Sequence, residues 1–182
     1  MKVAALLANG FEETEAITTI DILRRAGIKV DLVSIKDEVV EGSHGIKVIS
    51  DKLFIDMNDY DALFLPGGQP GTNNLKDDAR VISLVQDYVS QNKLVTAICA
   101  APLVLEKAGV INQKTITSYP MGDPKTIFPQ SHYSEELVVK DGKILTSRGV
   151  GTALNLGYAF VEALGIDSTA LQKSTLFQGK LK

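Results

Sequence analysis

The chain has 182 residues, 45% of them hydrophobic and 23% charged, and this balance predicts one globular domain, residues 1–182, with a sizeable core. Its net charge of −3, without a basic cluster, argues against nucleic acid or a membrane surface as a partner, and no apolar run reaches membrane-spanning length. The single cysteine cannot form an internal disulfide, so we expect a cytoplasmic protein that does not depend on an oxidising compartment.

The chain begins with a strand pattern and a helix pattern. Residues 2–8 (KVAALLA) predict a strand that is buried on both faces, and the acidic residues that follow argue against a signal peptide. Residues 12–26 predict a helix that ends before Gly27. The apolar face of this helix comprises Ala16, Ile20 and Leu23.

Strand and helix patterns then continue to alternate. Residues 28–35 predict a second strand, and residues 38–50 carry weaker strand signals around a GSHG turn. Residues 60–68 predict a buried strand that ends in a glycine pair. Residues 77–92 predict a helix with an apolar face made of Val81, Val85, Tyr88 and Val89.

The second half of the chain follows the same pattern. Residues 93–99 (KLVTAIC) predict a buried strand, a short helix follows, and residues 114–120 predict another strand. Residues 136–147 predict a β-hairpin, because an Asp-Gly pair lies between two β-rich runs. The last predicted elements are a helix over 151–165, with Leu154, Tyr158 and Val161 on its apolar face, and a helix around 168–177.

This alternation predicts an α/β protein with a mostly parallel sheet, helices on both faces and a small hairpin. Sites in such folds lie beyond the carboxyl ends of the strands. Three segments that follow strands, ANGFEETE, LPGGQPG and ICAAP, are therefore expected to meet at one rim of the sheet.

Cys99 is the first candidate for chemistry. It lies where a strand turns into a helix, which is typical of a nucleophile elbow. The amides and the positive end of the following helix are expected to lower the pKa of the thiol. The alternative is a buried, inert cysteine that acts as a small hydrophobic residue.

Two further groups could work with this thiol. The amides of the glycine loop at Gly67 and Gly68 are suited to an anion or an oxyanion, although a plain turn is the alternative. Glu12, Glu13 and Glu15 follow the first strand, and one of them could act as a general acid/base with a raised pKa, or all three could simply stabilise the helix start. Spacing alone does not choose among them.

The two histidines give weaker signals. A Cys–His dyad with His132 is conceivable, but the surrounding QSHYSEE segment indicates an exposed loop. His44 lies in the GSHG turn. One cysteine and two scattered histidines have no metal-ligand spacing, so we predict no metal site.

Together these segments resemble a known family. GFEETEAITTIDILRRAGIKV, LFLPGGQPGTNNL, AICAAP and DGKILTSRGVGTALNLGYAFVEAL are similar to motifs of the ThiJ/PfpI superfamily, and closest to the branch of Parkinson disease protein seven (protein deglycase) and its bacterial relatives. The resemblance covers nearly the whole chain in family order. It implies a flavodoxin-like three-layer sandwich and a homodimer.

The resemblance also implies roles for single residues. Cys99 matches the reactive elbow cysteine, Glu15 the acid that hydrogen-bonds it, and Gly67 and Gly68 the loop whose amides face the sulfur. The implied activity needs no cofactor: the cysteine attacks a small reactive carbonyl or a glycated thiol or amine, Glu15 moves the proton, and the amides of Gly68 and Ala100 stabilise the oxyanion.

Three positions depart from the family pattern. Ala100 stands where the protease-like branch has a histidine, which weakens a peptidase or amidase function. Tyr119 stands where the deglycase branch often has a histidine, and a phenol is a poor base near neutral pH. His44 lies near the place of an arginine that reaches across the dimer, so it is a candidate partner-chain contact.

Four functions remain open at this point. The chain could be a glyoxalase- or deglycase-like enzyme, or a redox sensor or redox-regulated chaperone in which Cys99 is oxidised during oxidative stress. A cysteine peptidase is disfavoured by Ala100. The fourth reading is a domain that only binds a partner and whose cysteine is inert.

Overall fold

The computed structural model describes residues 1–179. Its strands are β1 (Lys2–Leu7), β2 (Lys29–Ser34), β3 (Val39–Glu41), β4 (Lys47–Ile49), β5 (Lys52–Leu53), β6 (Ala62–Leu65), β7 (Leu94–Ile98), β8 (Thr115–Ile116), β9 (His132–Tyr133), β10 (Val138–Asp141) and β11 (Ile144–Ser147). Its helices are α1 (Glu13–Arg25), α2 (Gly71–Asp77), α3 (Ala79–Ser90), α4 (Pro102–Lys107), α5 (Pro124–Ile127), α6 (Ala153–Ala163) and α7 (Thr169–Ser174). A 3-10 turn, Val150–Thr152, leads into α6.

Seven strands form one sheet in the order β10-β11-β7-β6-β1-β2-β5. All neighbouring pairs are parallel except β10 and β11, which form the predicted antiparallel hairpin. Counted along the chain, β2, β1, β6, β7 and β11 have the 2-1-3-4-5 order that is typical of flavodoxin-like folds. The weaker signals at 38–50 correspond to a second hairpin, β3–β4.

The sheet is covered on both faces, as the apolar strands predict. Along β1, Val3, Ala5 and Leu7 belong to the cluster that contains the buried faces of α1 and α6. Ala4 and Leu6 point the other way, into the cluster formed with α3 and α4. Because successive strand residues face opposite sides, both faces need apolar residues, and the three-layer prediction is confirmed.

Two details of the sequence prediction are wrong. Leu154 is 42% exposed, while Leu156 and Phe160 are fully buried, because α6 is apolar on most sides and its packing against α1 selects the buried face. The strand predicted over 114–120 ends at Ile116, since the next backbone amide donates to a side chain, Thr146 Oγ1.

The loops after β1, β6 and β7 lie at the same rim, because these three strands are adjacent and parallel. The first two loops are joined by a hydrogen bond of 2.9 Å from Glu12 N to Gly67 O. This rim therefore brings the three singled-out segments together. Within residues 1–179, no helix is both long and apolar enough to cross a membrane.

Candidate active site at Cys99

Cys99 occupies a sharp turn between β7 and α4. Its φ of 63° lies in the left-handed region, which is uncommon for a residue with a side chain. The turn is held on both sides: Cys99 N donates to Ser147 O at 3.0 Å, and Cys99 O accepts from Tyr119 N at 2.9 Å. Cys99 is half-buried. The backbone thus has the strained geometry of a nucleophile elbow, and the thiol is neither sealed in the core nor fully open to solvent.

Glu15 is the acidic residue of the first helical turn that reaches the thiol. It is fully buried, and its Oε2 accepts from Gly67 N at 3.0 Å. Its Oε1 is also buried and has no hydrogen bond of regular geometry among the described residues. The Cys99 thiol is the hydrogen-bonding neighbour of this carboxyl, and each group changes the pKa of the other.

The glycine pair after β6 makes this close approach of Glu15 and Cys99 feasible. A Cβ at Gly67 would lie 2.6 Å from both Cys99 Cβ and Glu15 Oε2. Gly68 has a φ of +92°, and a Cβ there would lie 2.3 Å from Glu12 N. The backbone amides of Gly68 and Ala100 act on the sulfur and favour its ionised form. Only glycine fits at these two loop positions, which lets the loop pack against Cys99, Glu15 and the Glu12 backbone.

The ionisations of Glu15 and Cys99 are coupled. Burial raises the pKa of Glu15 to about 7, opposed by the hydrogen bond with Cys99 and assisted by the negative charge of Glu12. Burial and the charge of Glu15 raise the pKa of Cys99 to about 12, against the two amides. The prediction of a lowered thiol pKa is therefore wrong, because burial and the Glu15 charge outweigh the amides. A thiolate near neutral pH requires that Glu15 holds the shared proton.

Tyr119 and Gly149 lie near the sulfur and the Glu15 carboxyl. Tyr119 is exposed, and a Cβ at Gly149 would lie 3.6 Å from its ring, 3.7 Å from Glu15 Oε1 and 3.9 Å from Cys99 Sγ. The sequence analysis did not single out Gly149. The sequence feature that could have indicated Gly149 is the glycine-containing SRGVG segment directly after the hairpin. Because β11 pairs with β7, this segment lies next to the end of β7, where Cys99 follows. The absent side chain at this position leaves free space next to the sulfur.

Glu12, Glu13 and His44 form a second group at the same rim. Glu12 Oε2 caps α1 by accepting from Glu15 N at 2.6 Å, and Glu13 Oε2 lies 2.9 Å from His44 Nδ1. Their ligand-type atoms lie within 4.8 Å of one another, a grouping that sequence spacing did not indicate. Capping and the Glu13–His44 ion pair account for this arrangement, so we assign no metal to it.

The remaining candidates lie elsewhere. His132 is exposed on β9, its backbone amide donates to Lys114 O, and its charge acts on Asp141 rather than on Cys99. The structure thus gives no support for a Cys99–His132 dyad. A cavity of about 700 Å³ between the β10–β11 hairpin and α6 contains none of the candidate residues.

Comparison with known proteins agrees with this geometry. The model of the DJ-1/PfpI family matches residues 1–163, which include the elbow, the first-turn acids and the glycine loop. The chain belongs to the DJ-1/PfpI family. Within that family, its sequence is 39% identical to protein dj-1beta of Drosophila melanogaster over 162 residues, which cover 87% of each chain. It is 34% identical to the Parkinson disease protein 7 homolog of Danio rerio over 94% of each chain.

Solved structures of DJ-1/PfpI proteins show the same fold. The crystal structure of Drosophila melanogaster DJ-1beta matches this chain with a TM-score of 0.90 at 36% identity, and the match covers 96% of this chain and 97% of that one. The structure of oxidized DJ-1 from Toxoplasma gondii matches with a TM-score of 0.91 at 33% identity, over 98% and 99% of the two chains. The flavodoxin-like prediction is thereby confirmed.

Proposed function

We propose that this DJ-1/PfpI protein acts without a cofactor on small reactive carbonyl compounds such as methylglyoxal, or on thiols and amines that they have glycated. The observation that carries the proposal is the position of the buried Glu15 carboxyl beside the Cys99 thiol, on a turn whose left-handed φ places the thiol near the amides of Gly68 and Ala100. Carbonyl addition needs a nucleophile, a general acid/base whose pKa lies near neutral pH, as that of Glu15 does, and donors for the oxyanion.

The reaction begins when the proton moves to Glu15 and the Cys99 thiolate adds to the aldehyde carbon. The new C–S bond forms as the carbonyl electron pair moves to oxygen, which the amides of Gly68 and Ala100 stabilise. Glu15 gives its proton to this alkoxide oxygen, which forms a hemithioacetal and leaves Glu15 as a carboxylate. The carboxylate then takes the proton from the former aldehyde carbon, while the hemithioacetal hydroxyl passes its proton to the neighbouring carbonyl oxygen. Return of the proton from Glu15 to the neighbouring carbon leaves a thioester. Water cleaves the thioester to lactate and the free thiol, so that methylglyoxal plus water equals lactate.

Tyr119 completes the proposed set of residues. Its exposed phenol lies near the sulfur and is suited to hydrogen-bond a substrate oxygen, while general-base duty falls on Glu15. Ala100 offers no side chain to protonate a leaving amine, which disfavours peptide cleavage.

Incubation with methylglyoxal tests the enzyme proposal. We expect lactate formation by the wild-type protein and a loss of about 100-fold or more in Cys99→Ala, because the variant has no nucleophile. Tyr119→Phe is expected to keep most of kcat and to raise KM several-fold if the phenol binds substrate. Equal turnover of methylglyoxal by wild type and Cys99→Ala would refute the role of Cys99 as the nucleophile.

A second candidate is a redox sensor or redox-regulated chaperone. The position of Glu15 Oε1 favours it: this oxygen is buried, has no hydrogen bond of regular geometry among the described residues, and a protonated carboxyl there would donate a hydrogen bond to a sulfinate oxygen on Cys99. Hydrogen peroxide titration followed by intact mass is expected to add two oxygen atoms to the wild-type protein and none to Cys99→Ala. Loss of this product in Glu15→Ala would support the hydrogen-bond role.

We further propose that the chain works as one domain, as a homodimer and in the cytoplasm. The dimer is supported by the family relationship and by apolar side chains that α1 and α6 leave exposed at Ile17 and Leu154. The single domain is supported by the ordinary length and composition of the chain, and the location by its single cysteine, which needs no oxidising compartment.

A further inference from the structure

The turn between β3 and β4 closes over the first turn of α1. Glu13 Oε1 accepts from His44 N at 2.7 Å and from Ile46 N at 3.4 Å, and its Oε2 accepts from Ser43 Oγ at 3.3 Å. A Cβ at Gly42 would lie 2.3 Å from Glu13 Cδ, so glycine is needed for this approach. The buried Glu13 carboxylate therefore fixes the turn, and with it His44, at the start of α1.

The His44 ring lies next to both acids of the helix start. Its Nδ1 is 2.9 Å from Glu13 Oε2 and 3.9 Å from Glu12 Oε1. Among the described residues, His44 is the only cationic side chain that forms an ion pair with either carboxylate. Hydrogen bonding and the charge of Glu13 raise the pKa of His44, which extends its charged form towards neutral pH.

Glu12 connects this ion pair to Glu15. Its Oε2 accepts from Glu15 N, and its negative charge acts on the Glu15 carboxyl. The titratable groups that act on His44 are Glu13 and Glu12, and those that act on Glu15 are Cys99 and Glu12. The Glu12 carboxylate therefore lies near the His44 ring through Oε1, accepts from the Glu15 backbone through Oε2, and acts on the Glu15 carboxyl through its charge.

We propose that His44 is a positioning residue whose charge regulates the reactivity of Cys99 through Glu12 and Glu15. Protonated His44 offsets the charge of Glu12, so the Glu15–Cys99 pair loses its first proton more easily. Neutral His44 leaves Glu12 uncompensated, and the pair keeps its proton to a higher pH. The inference deepens the proposed function, because it concerns the same site, but it does not depend on which carbonyl compound is the substrate.

The test is the rate at which iodoacetamide alkylates Cys99, followed by intact mass over about pH 5 to 9 in low salt. We expect His44→Gln to move the midpoint of the rate profile up by about half a pH unit, which is about a threefold slower reaction below the midpoint. His44→Arg, whose charge does not titrate, is expected to restore the midpoint. His132→Gln, which changes the other histidine, is the matched control and is expected to behave as wild type.

Salt and fold controls complete the experiment. His44 is exposed, so about 0.5 M salt is expected to reduce the shift, whereas a loss of structure would not respond in this way. An unchanged midpoint in His44→Gln would overturn the inference, and so would a uniform loss of rate that His44→Arg does not restore. Because no carbonyl substrate is present, a shifted midpoint in a protein without methylglyoxal turnover would refute the proposed enzyme function and leave the role of His44 standing.

Discussion

At the scale of single residues, the three acids of one helical turn have three different environments. Glu12 caps the helix, Glu13 anchors a hairpin turn, and Glu15 faces a thiol. Hydrogen-bond donors surround Glu13 and compensate its burial, so its pKa falls to about 2. Glu15 receives one backbone amide and the thiol, so burial prevails and its pKa rises to about 7. The same residue type thus acts as an anchor at one position and as a proton carrier at another.

The raised pKa of Glu15 predicts a stability cost above neutral pH. The folded protein binds the proton between pH 4.5 and about 7, where the unfolded chain has released it, so the Glu15 contribution to stability falls as pH rises through this window. We expect Glu15→Gln, which keeps an acceptor for Gly67 N, to be more stable than wild type by about 1–3 kcal/mol near pH 8 in urea unfolding. The gain should shrink near pH 4. A gain of equal size at both pH values would contradict this account.

Glu13 predicts the opposite behaviour. Its folded pKa is below the unfolded value of 4.5, so its stabilising contribution is present above that pH and is lost as pH falls towards about 2. We expect Glu13→Gln to lose about 1–3 kcal/mol near pH 7, because charge-assisted hydrogen bonds to the hairpin turn are weakened. Thermal unfolding of Glu13→Gln and Glu15→Gln side by side tests whether the first variant is less stable and the second more stable than wild type. Losses of similar size in both variants would contradict the opposite roles of the two acids.

At the scale of elements, the β6–α2 loop fits against the β1–α1 loop with no space for a side chain. We expect Gly68→Ala to lose about 3 kcal/mol or more and to slow Cys99 alkylation, because the new Cβ would collide with the Glu12 backbone. Gly109→Ala is the matched control: its φ is also positive, but nothing lies within 4 Å. It is expected to cost only about 1 kcal/mol and to leave the alkylation rate unchanged. Similar effects of both variants would contradict a steric role for the loop.

Short elements were the ones that the sequence did not reveal. β5 has two residues, α5 has four, and α2 opens with a polar GTNN run that carries no apolar period. Long apolar runs such as β1 and β7 were recognisable because a buried strand needs apolar residues on both faces. The buried face of α6 was not recognisable from the sequence, because this helix is apolar on most sides. Packing against the neighbouring elements, not the sequence pattern, buries Leu156 and leaves Leu154 exposed.

At the scale of the whole molecule, the proposed homodimer has a direct test. We expect light scattering to give about twice the chain mass of 19.6 kDa. Ile17 is an exposed apolar residue of α1. We expect Ile17→Asp to lower this mass towards the monomer, because burying an unpaired charge in an interface is costly. Ile55→Asp changes a more exposed residue in the loop after β5 and should have no effect. A monomeric wild type would exclude the dimer.

The order of the long strands and helices, the elbow position of Cys99 and the glycine loop follow from the sequence by itself, because periodicity and backbone freedom are properties of neighbouring residues. Residue spacing left open which first-turn acid faces the thiol, and the family resemblance pointed to Glu15. Only the tertiary structure decided that His44 pairs with Glu13 of its own chain, and that the pKa of the thiol is raised rather than lowered. These outcomes depend on burial and on charges from segments distant in the chain, and local sequence carries no measure of either.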